Sequence, residues 1–249
     1  MDPPQKNFLG EQIYRLRVGI LLVFFLLAMV ANSRHPHPLW VAILAKCIGA
    51  RESGITPFLR HVTLLVPLGL YTLALLLRLS ASSSLGGRTI WAKSPVTDVL
   101  TQEGLFAHIR HPLYAGSAGM IVSLSLMSSP QGAAILVGGG LPFLAFLARF
   151  EEKILLARFP EYSEYKTRVP AFIPTKFEIK KGWNALFAPL HQRLGRSLRS
   201  EAFNVALLAG FGAFWASPTL PLFWISFSLG LALAFTAPFW APERNEASS

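Results

Sequence analysis

Charge is what this chain has least of. Only 14% of its 249 residues are Asp, Glu, Lys or Arg, against about 25% in an ordinary soluble domain. That scarcity excludes a well-solvated globular surface. Cysteine is nearly absent too. The single Cys47 rules out an intrachain disulfide and leaves no thiolate set for a metal, so no metal site is expected. Acidic residues are outnumbered, 13 against 23 Lys and Arg, for a net charge of +10. No RNA- or DNA-binding module accompanies that charge, and the aromatics sit in apolar runs, so nucleic acid is not an expected partner. The Gly138-Gly139-Gly140 triplet lacks a following Lys-Ser/Thr, which excludes a P-loop.

What fills the chain instead is apolar: 52% of residues, with 19 Phe alone. The composition predicts an all-α integral membrane protein, a helical bundle of about five transmembrane helices. The excess of basic charge then fits a face near anionic lipid.

In chain order, Met1 to Gly10 is polar and reads as a short disordered arm. Val18 to Ala31, helped by Ile13 and Leu16, is just long enough to span. A signal peptide is the competing reading of that stretch, with Arg15 and Arg17 as its basic flank. Leu39 to Ala50 is short and carries Lys46, which suits a re-entrant or interfacial helix. His61 to Leu79 is a span that Pro67 and Gly69 should kink. Arg78 near its end either snorkels or faces a polar cavity. Ser80 to Ser84, Gly86 and Gly87 read as a soft loop running to Leu100.

Leu113 to Ser129 and Ala133 to Phe150 form a hairpin turning at Ser128 to Gly132. Gly138 to Gly140 and Pro142 should loosen or bend its second helix. Arg149 to Ser200 holds 11 Lys and Arg against 5 Asp and Glu, a net 11 − 5 = +6. The positive-inside rule makes that region cytoplasmic. The stretch before Arg110 then shares the same face. Phe203 to Trp215 and Leu220 to Pro238 form a second hairpin broken at Ser217-Pro218. Trp215, Trp224 and Trp240 fit interface belts, and Ala241 to Ser249 is a polar cytoplasmic tail. Three segments result: 1–60 with the first helix and the uncertain short segment, a core over 61–175, and 176–249 with the basic stretch and C-terminal hairpin.

Two polar clusters stand out against this background. Arg110-His111 precedes Pro112, which reads as N1 of a helix entering the membrane, since the missing N–H of Pro is tolerated there. Tyr114 follows in the first turn, and Gly116 and Gly119 offer a small-residue face for close helix approach. About 40 residues on come Arg149, Glu151 and Glu152. Adjacent acids on a helix point about 100° apart, so only one of Glu151 and Glu152 faces a given pocket squarely. The acidic pair is equally readable as a solvated helix end, His111 as interfacial, and Tyr114, Tyr162 and Tyr165 as headgroup anchors.

Taken together the order and spacing are more specific. Gly104-Leu105-Phe106, Arg110-His111-Pro112-Leu113-Tyr114-Ala115-Gly116, Glu151-Glu152, Phe159-Pro160 with Tyr162 and Tyr165, and Val169-Pro170-Ala171-Phe172-Ile173-Pro174 resemble the isoprenylcysteine carboxyl methyltransferase and phospholipid methyltransferase superfamily. Arg78 looks like that family's Leu-Arg at the preceding helix end. The resemblance covers about Leu70 to Pro174. Pro160 departs from the family's usual Gly, and the Ala81-Ser82-Ser83-Ser84 loop departs as well.

The resemblance implies S-adenosylmethionine bound in a cytosol-facing pocket and methyl transfer to a lipophilic, membrane-borne carboxylate or amine. It implies catalytic roles for Arg110, His111 and Glu152, and cofactor binding by His111, Pro112, Tyr114, Gly116, Glu151 and Glu152. The expected partners are a lipid or lipidated small molecule and the membrane. The expected setting is a bacterial inner membrane with the site facing the cytoplasm. Two other classes stay open: an NADPH-dependent membrane reductase of related architecture, and a lipid-binding membrane protein without catalysis.

Overall fold

A computed structural model describes residues 8–32, 38–51, 54–85, 100–174, 179–216, 225, 228–230 and 232. The residues expected to form the first part of the arm, the whole of the Gly86–Val99 loop, the Ser217-Pro218 break, nearly all of the last helix and the polar tail lie outside that set. The described residues are all helical or irregular, with no strand among them.

Eleven helices are described: α1 Phe8–Arg15, α2 Arg17–Asn32, α3 Leu39–Cys47, α4 Pro57–Thr63, α5 Leu65–Ser84, α6 Pro112–Met127, α7 Pro130–Ile135, α8 Leu141–Arg158, α9 Tyr162–Arg168, α10 Ile179–Ser200 and α11 Ala202–Ala216. Two continuous stretches are long and apolar enough to cross a membrane, Leu65–Ser84 and Pro130–Arg158. A third crossing results if Leu9–Arg15 and Arg17–Asn32, bent by 62° at Leu16, act as one. The composition therefore delivers two to three membrane-length helices among the described residues. α6 is apolar but shorter, as is Ala202–Gly212.

Local physics explains most of the boundaries. Pro112 starts α6, as its N1 preference predicts. Ser129 caps α7, its hydroxyl accepting from the Gly132 N–H at 3.1 Å, and Pro130 follows at N1. The expected turn thus shrinks to Ser128-Ser129, and Pro130 to Gly132 are already helical. The Gly-rich stretch does not stop the helix. Leu136–Gly140 widens into a π turn that joins α7 to α8. Pro142 just beyond cannot donate a backbone hydrogen bond, and glycines tolerate the looser geometry.

Two expectations about α5 are corrected. The helix runs unbroken through Pro67 and Gly69; the break falls earlier, at Leu64, and Pro67 sits in the first turn, where a missing N–H costs nothing. Ser80 to Ser84 are not a loop but the last turn and a half of α5, and Ser80, Ser82 and Ser83 are buried. Their hydroxyls have partners far along the chain, which composition alone does not reveal.

The chain forms two compact units, Met1–Ala74 with Tyr114–Glu164, and Leu75–Leu113 with Tyr165–Ser249. In the first, Tyr14, Ala28, Ile121, Leu136, Leu144, Leu147 and Phe150 make one core, and Trp40, Val41, Ala45 and Ile55 a smaller one. α6 closes on the first half of α5. A Cβ on Gly119 would lie 2.9 Å from the Ala74 Cβ, and Ser123 donates to the Pro67 carbonyl at 2.7 Å. The expected small-residue face is real at Gly119. In the second unit, Ala81, Leu105 and Phe106 pack with Ala185 and Leu186 of α10. The turn that carries Leu105 and Phe106 begins at Gly104, whose φ of 59° is left-handed and favours glycine.

Candidate functional site

In the first unit, the aromatic and acidic motif residues converge on one oxygen. Glu151 is in α8 and Tyr114 in the first turn of α6. The Tyr114 hydroxyl donates to Glu151 Oε1 at 2.8 Å. A second phenol, Tyr14 of α1, donates to the same oxygen at 2.7 Å. Bonds from a hydroxyl to an ionised carboxylate are short and stronger than neutral ones. The bend at Leu16 follows directly after Tyr14, and Arg17 opens α2. The Arg17 guanidinium lies 4.0 Å from the Tyr14 ring centroid and its Nη1 donates to the Tyr14 carbonyl at 2.9 Å. A cation over an aromatic face is attracted by the ring quadrupole. Phe150 backs the cluster, its ring 5.9 Å from that of Tyr14. Glu152, one residue beyond Glu151, is buried, as is Gly116 in α6.

The second unit holds the basic half of the motif. The Arg110 N–H donates to the Pro170 carbonyl at 2.8 Å and the His111 N–H to the Ala171 carbonyl at 3.0 Å. These two bonds tie the segment before α6 to the Val169–Pro174 closure. Arg110 Nη1 donates to the carbonyls of Lys166, at 2.8 Å, and Val169, at the end of α9. A guanidinium there answers carbonyls that the helix leaves without partners. His111 is buried, with its ring 5.8 Å from Phe172, and Pro112 is fully buried. The interfacial reading of His111 is thereby corrected.

Tyr162 and Tyr165 are corrected in the same way. Both are buried rather than set out as headgroup anchors. The Tyr165 hydroxyl donates to the Phe106 carbonyl at 2.6 Å. Burial pushes the Tyr165 phenol up to about 12, with Arg110 pulling the other way. The phenol is thus neutral in the fold to a higher pH than in the unfolded chain, where it ionises near 10.0. Its contribution to stability is whole below pH 10 and is lost as pH rises from 10 towards 12. Unfolding midpoints followed through that window should fall more steeply for the wild type than for Tyr165→Phe. Equal slopes would mean the hydroxyl is solvated.

A third polar group in the second unit contains residues the sequence reading left out. Of the two expectations for Arg78, the polar interior holds: Arg78 does not snorkel but faces an interior that is filled by Glu201. Its Nε lies 3.0 and 2.9 Å from the two carboxylate oxygens of Glu201, and its Nη2 lies 2.8 Å from Oε1. Arg78 Nη1 also donates to the Leu113 carbonyl at 3.2 Å, and Asn204 donates to Glu201 Oε2 at 2.6 Å. Glu201 is fully buried. The signal that finds it is simple: between Ile179 and Pro242 it is the one acidic residue in the sequence, at the mouth of an apolar helix. A lone acid there calls for a lone base elsewhere. No such signal marks Tyr14, whose partner is 137 residues away.

Among the described residues, no three His, Cys, Asp or Glu side chains gather as a metal site would require. No family model matches the sequence, and neither a curated protein nor a solved structure is similar to it.

Proposed function

We propose that the protein transfers a methyl group from S-adenosylmethionine to a lipophilic acceptor borne by the membrane, a carboxylate or an amine. The observation that carries this reading is the Tyr114–Glu151 hydrogen bond. It joins the two motifs on which the resemblance to the isoprenylcysteine carboxyl and phospholipid methyltransferases rests. They lie 37 residues apart in the sequence. The membrane-length helices are the second support, because a lipophilic acceptor would reach the protein from the bilayer.

The residues divide the work as follows. Glu151 Oε1 already accepts from two phenols, so its part is to fix Tyr114 and Tyr14. Glu152 is buried beside it and is the glutamate assigned to the cofactor's ammonium or ribose hydroxyls. His111 is assigned to the cofactor or acceptor through its ring, and Pro112 and Gly116 supply backbone and close approach. Arg110 has five donors, of which Nη1 holds the end of α9. Its charge beside that end favours an anionic carboxylate. When bound, the cofactor supplies a sulfonium-activated methyl group. Transfer is an in-line displacement, so the protein's contribution is alignment and exclusion of water more than acid–base chemistry. A carboxylate acceptor is already ionised. An amine would first give up a proton, and His111 or Glu152 is the candidate to take it.

The test is a calorimetric titration of S-adenosylhomocysteine into detergent-purified protein. Wild type should bind in the micromolar range. Glu152→Ala should weaken binding roughly a hundredfold, since removing a buried charged partner costs several kcal/mol. His111→Ala should weaken it less. A well-folded wild type that binds no S-adenosylhomocysteine would end the methyltransferase reading. NADPH binding in the same cell would then favour the reductase.

A further inference from the structure

Within the first unit, α2 and α1 meet the Pro130–Arg158 helix in different ways. A Cβ on Gly132 would meet Ala28 and Asn32, and one on Gly139 would meet Phe24. α2 thus runs antiparallel to that helix, and the two advance together. Before Leu16 the advance stops. A Cβ on Gly10 would strike the Phe150 ring, and the Tyr14 ring lies 5.9 Å from that same ring. Four residues of α1, a rise of about 6 Å, meet one residue of α8. α1 therefore crosses α8, in keeping with its 62° bend from α2. At the bend the Arg17 guanidinium takes the Tyr14 carbonyl at 2.9 Å, and a side chain entering the backbone ladder is a known cause of such kinks.

Charge marks the level of the crossing. Pro130 to Ala148 contains no charged residue. At about 1.5 Å per residue that stretch measures about 28 Å, close to the roughly 30 Å of a bilayer's hydrocarbon core. Arg149, Glu151, Glu152 and Lys153 follow at once. Phe150, the residue that α1 crosses, is at that boundary, where a membrane-length helix leaves the hydrocarbon. Tyr14 reaches Glu151 Oε1 from the same helix, at the same level.

The sides of α1 fit that place. A helix in the plane of the interface at the rim of a bundle touches three media: protein, lipid and water. α1 has three stripes, each one residue, or about 100°, on from the last. Gly10 and Tyr14 are buried against Phe150. To one side Glu11 and Arg15 are exposed and charged. To the other, Leu9 and Leu16 are 66% and 63% exposed, with the half-buried Ile13 between them. A crossing that included α1 would carry Glu11 and Arg15 into hydrocarbon, which is costly. An apolar stripe and a polar stripe on a helix at the charge boundary make an interfacial helix.

We propose that α1 is an in-plane helix seated in the headgroup–acyl boundary of the bilayer. Leu9, Ile13 and Leu16 face the acyl chains, and Glu11 and Arg15 face water. The partner is the apolar side of that boundary and not a charged headgroup, because Glu11 and Arg15 are the only charges in α1 and cancel. The inference rests on α8 crossing a membrane and is independent of methyl transfer.

The test uses the full chain in phosphatidylcholine bilayers, with a nitroxide placed in turn at Leu9→Cys, Glu11→Cys, Arg15→Cys and Leu16→Cys in a Cys47→Ser background. All four side chains are exposed, so the labels leave the packing intact. Power saturation compares collisions with oxygen, which concentrates in lipid, against those with a water-soluble nickel chelate. The oxygen-to-nickel ratio should be several-fold higher at 9 and 16 than at 11 and 15. Four oxygen-rich positions would make α1 part of a crossing, and four nickel-rich positions would lift it into water; either overturns the proposal. Positions 9 and 16 reached by neither reagent would be covered by protein, such as a second copy of this chain, and that overturns it too.

Discussion

Glu201→Ala is expected to destabilise the protein by about 3–5 kcal/mol, because it leaves the Arg78 guanidinium buried without its carboxylate. The pair is closed on every side. Arg78 is 12% exposed and Glu201 not at all, and Asn204 takes up Glu201 Oε2 from the adjoining turn. Arg78→Ala should cost a similar amount, since Glu201 would then be the uncompensated charge. The informative partner is the double variant Arg78→Met, Glu201→Leu. Apolar residues of like volume carry no desolvation cost, so it should recover most of the loss. Denaturant unfolding in a mild detergent measures all four proteins. A single-variant cost under about 1 kcal/mol would place the pair in solvent, where ion pairs are worth that little.

Gly132→Val should be nearly as damaging, by another route. α2 crosses close to α7, and a Cβ on Gly132 would lie 2.6 Å from Asn32 Oδ1 and 3.0 Å from the Ala28 carbonyl. The second of these is backbone and cannot swing aside. The first is already engaged, accepting from the Ser129 N–H at 2.7 Å. A Cβ on Gly139, two turns on, would likewise lie 2.5 Å from the Phe24 ring. Phe24, Ala28 and Asn32 are spaced four apart, one stripe of α2. A branched side chain at 132 must push that stripe away, break the Asn32–Ser129 bond and open the core around Ala28 and Leu136. Overpacking of this kind costs about 1–3 kcal/mol, and the lost cap bond adds to it. Gly139→Ala should cost less, because a ring can shift where a carbonyl cannot. Unfolding midpoints of the two variants, compared side by side, check the order.

The fold was legible where a property is local. Apolar runs too long for a soluble domain marked spans at His61 to Leu79 and Ala133 to Phe150, and membrane-length helices run over Leu65–Ser84 and Pro130–Arg158. Pro112 marked a helix start, and Gly119 marked a close approach that Ala74 fills. Composition misled where burial depends on distant partners. Ser80, Ser82 and Ser83 have the residue types of a loop, yet each hydroxyl is matched on α10, more than a hundred residues away. Tyr165 has the look of an interface anchor until Phe106 is placed against it. At the candidate site, the spacing of Tyr114 and Glu151 pointed to one cluster, and the bond between them agrees. Tyr14 lay beyond reach because nothing near it in the chain hints at a carboxylate.

The π turn at Leu136–Gly140 bears on how the chain's length can vary. A wide turn holds one residue more than an α-helical turn of the same rise, so the helix carries a spare residue there. Removing it would let the turn close to ordinary α geometry, with α8 keeping its heading and Glu151 still opposite Tyr114. One residue removed between Leu141 and Phe150 has no such slack to draw on. It would turn everything downstream by about 100° and carry Glu151 away from both phenols. Along one continuous helix, then, a shortening at the glycines is silent, and the same shortening two turns later dismantles the cluster.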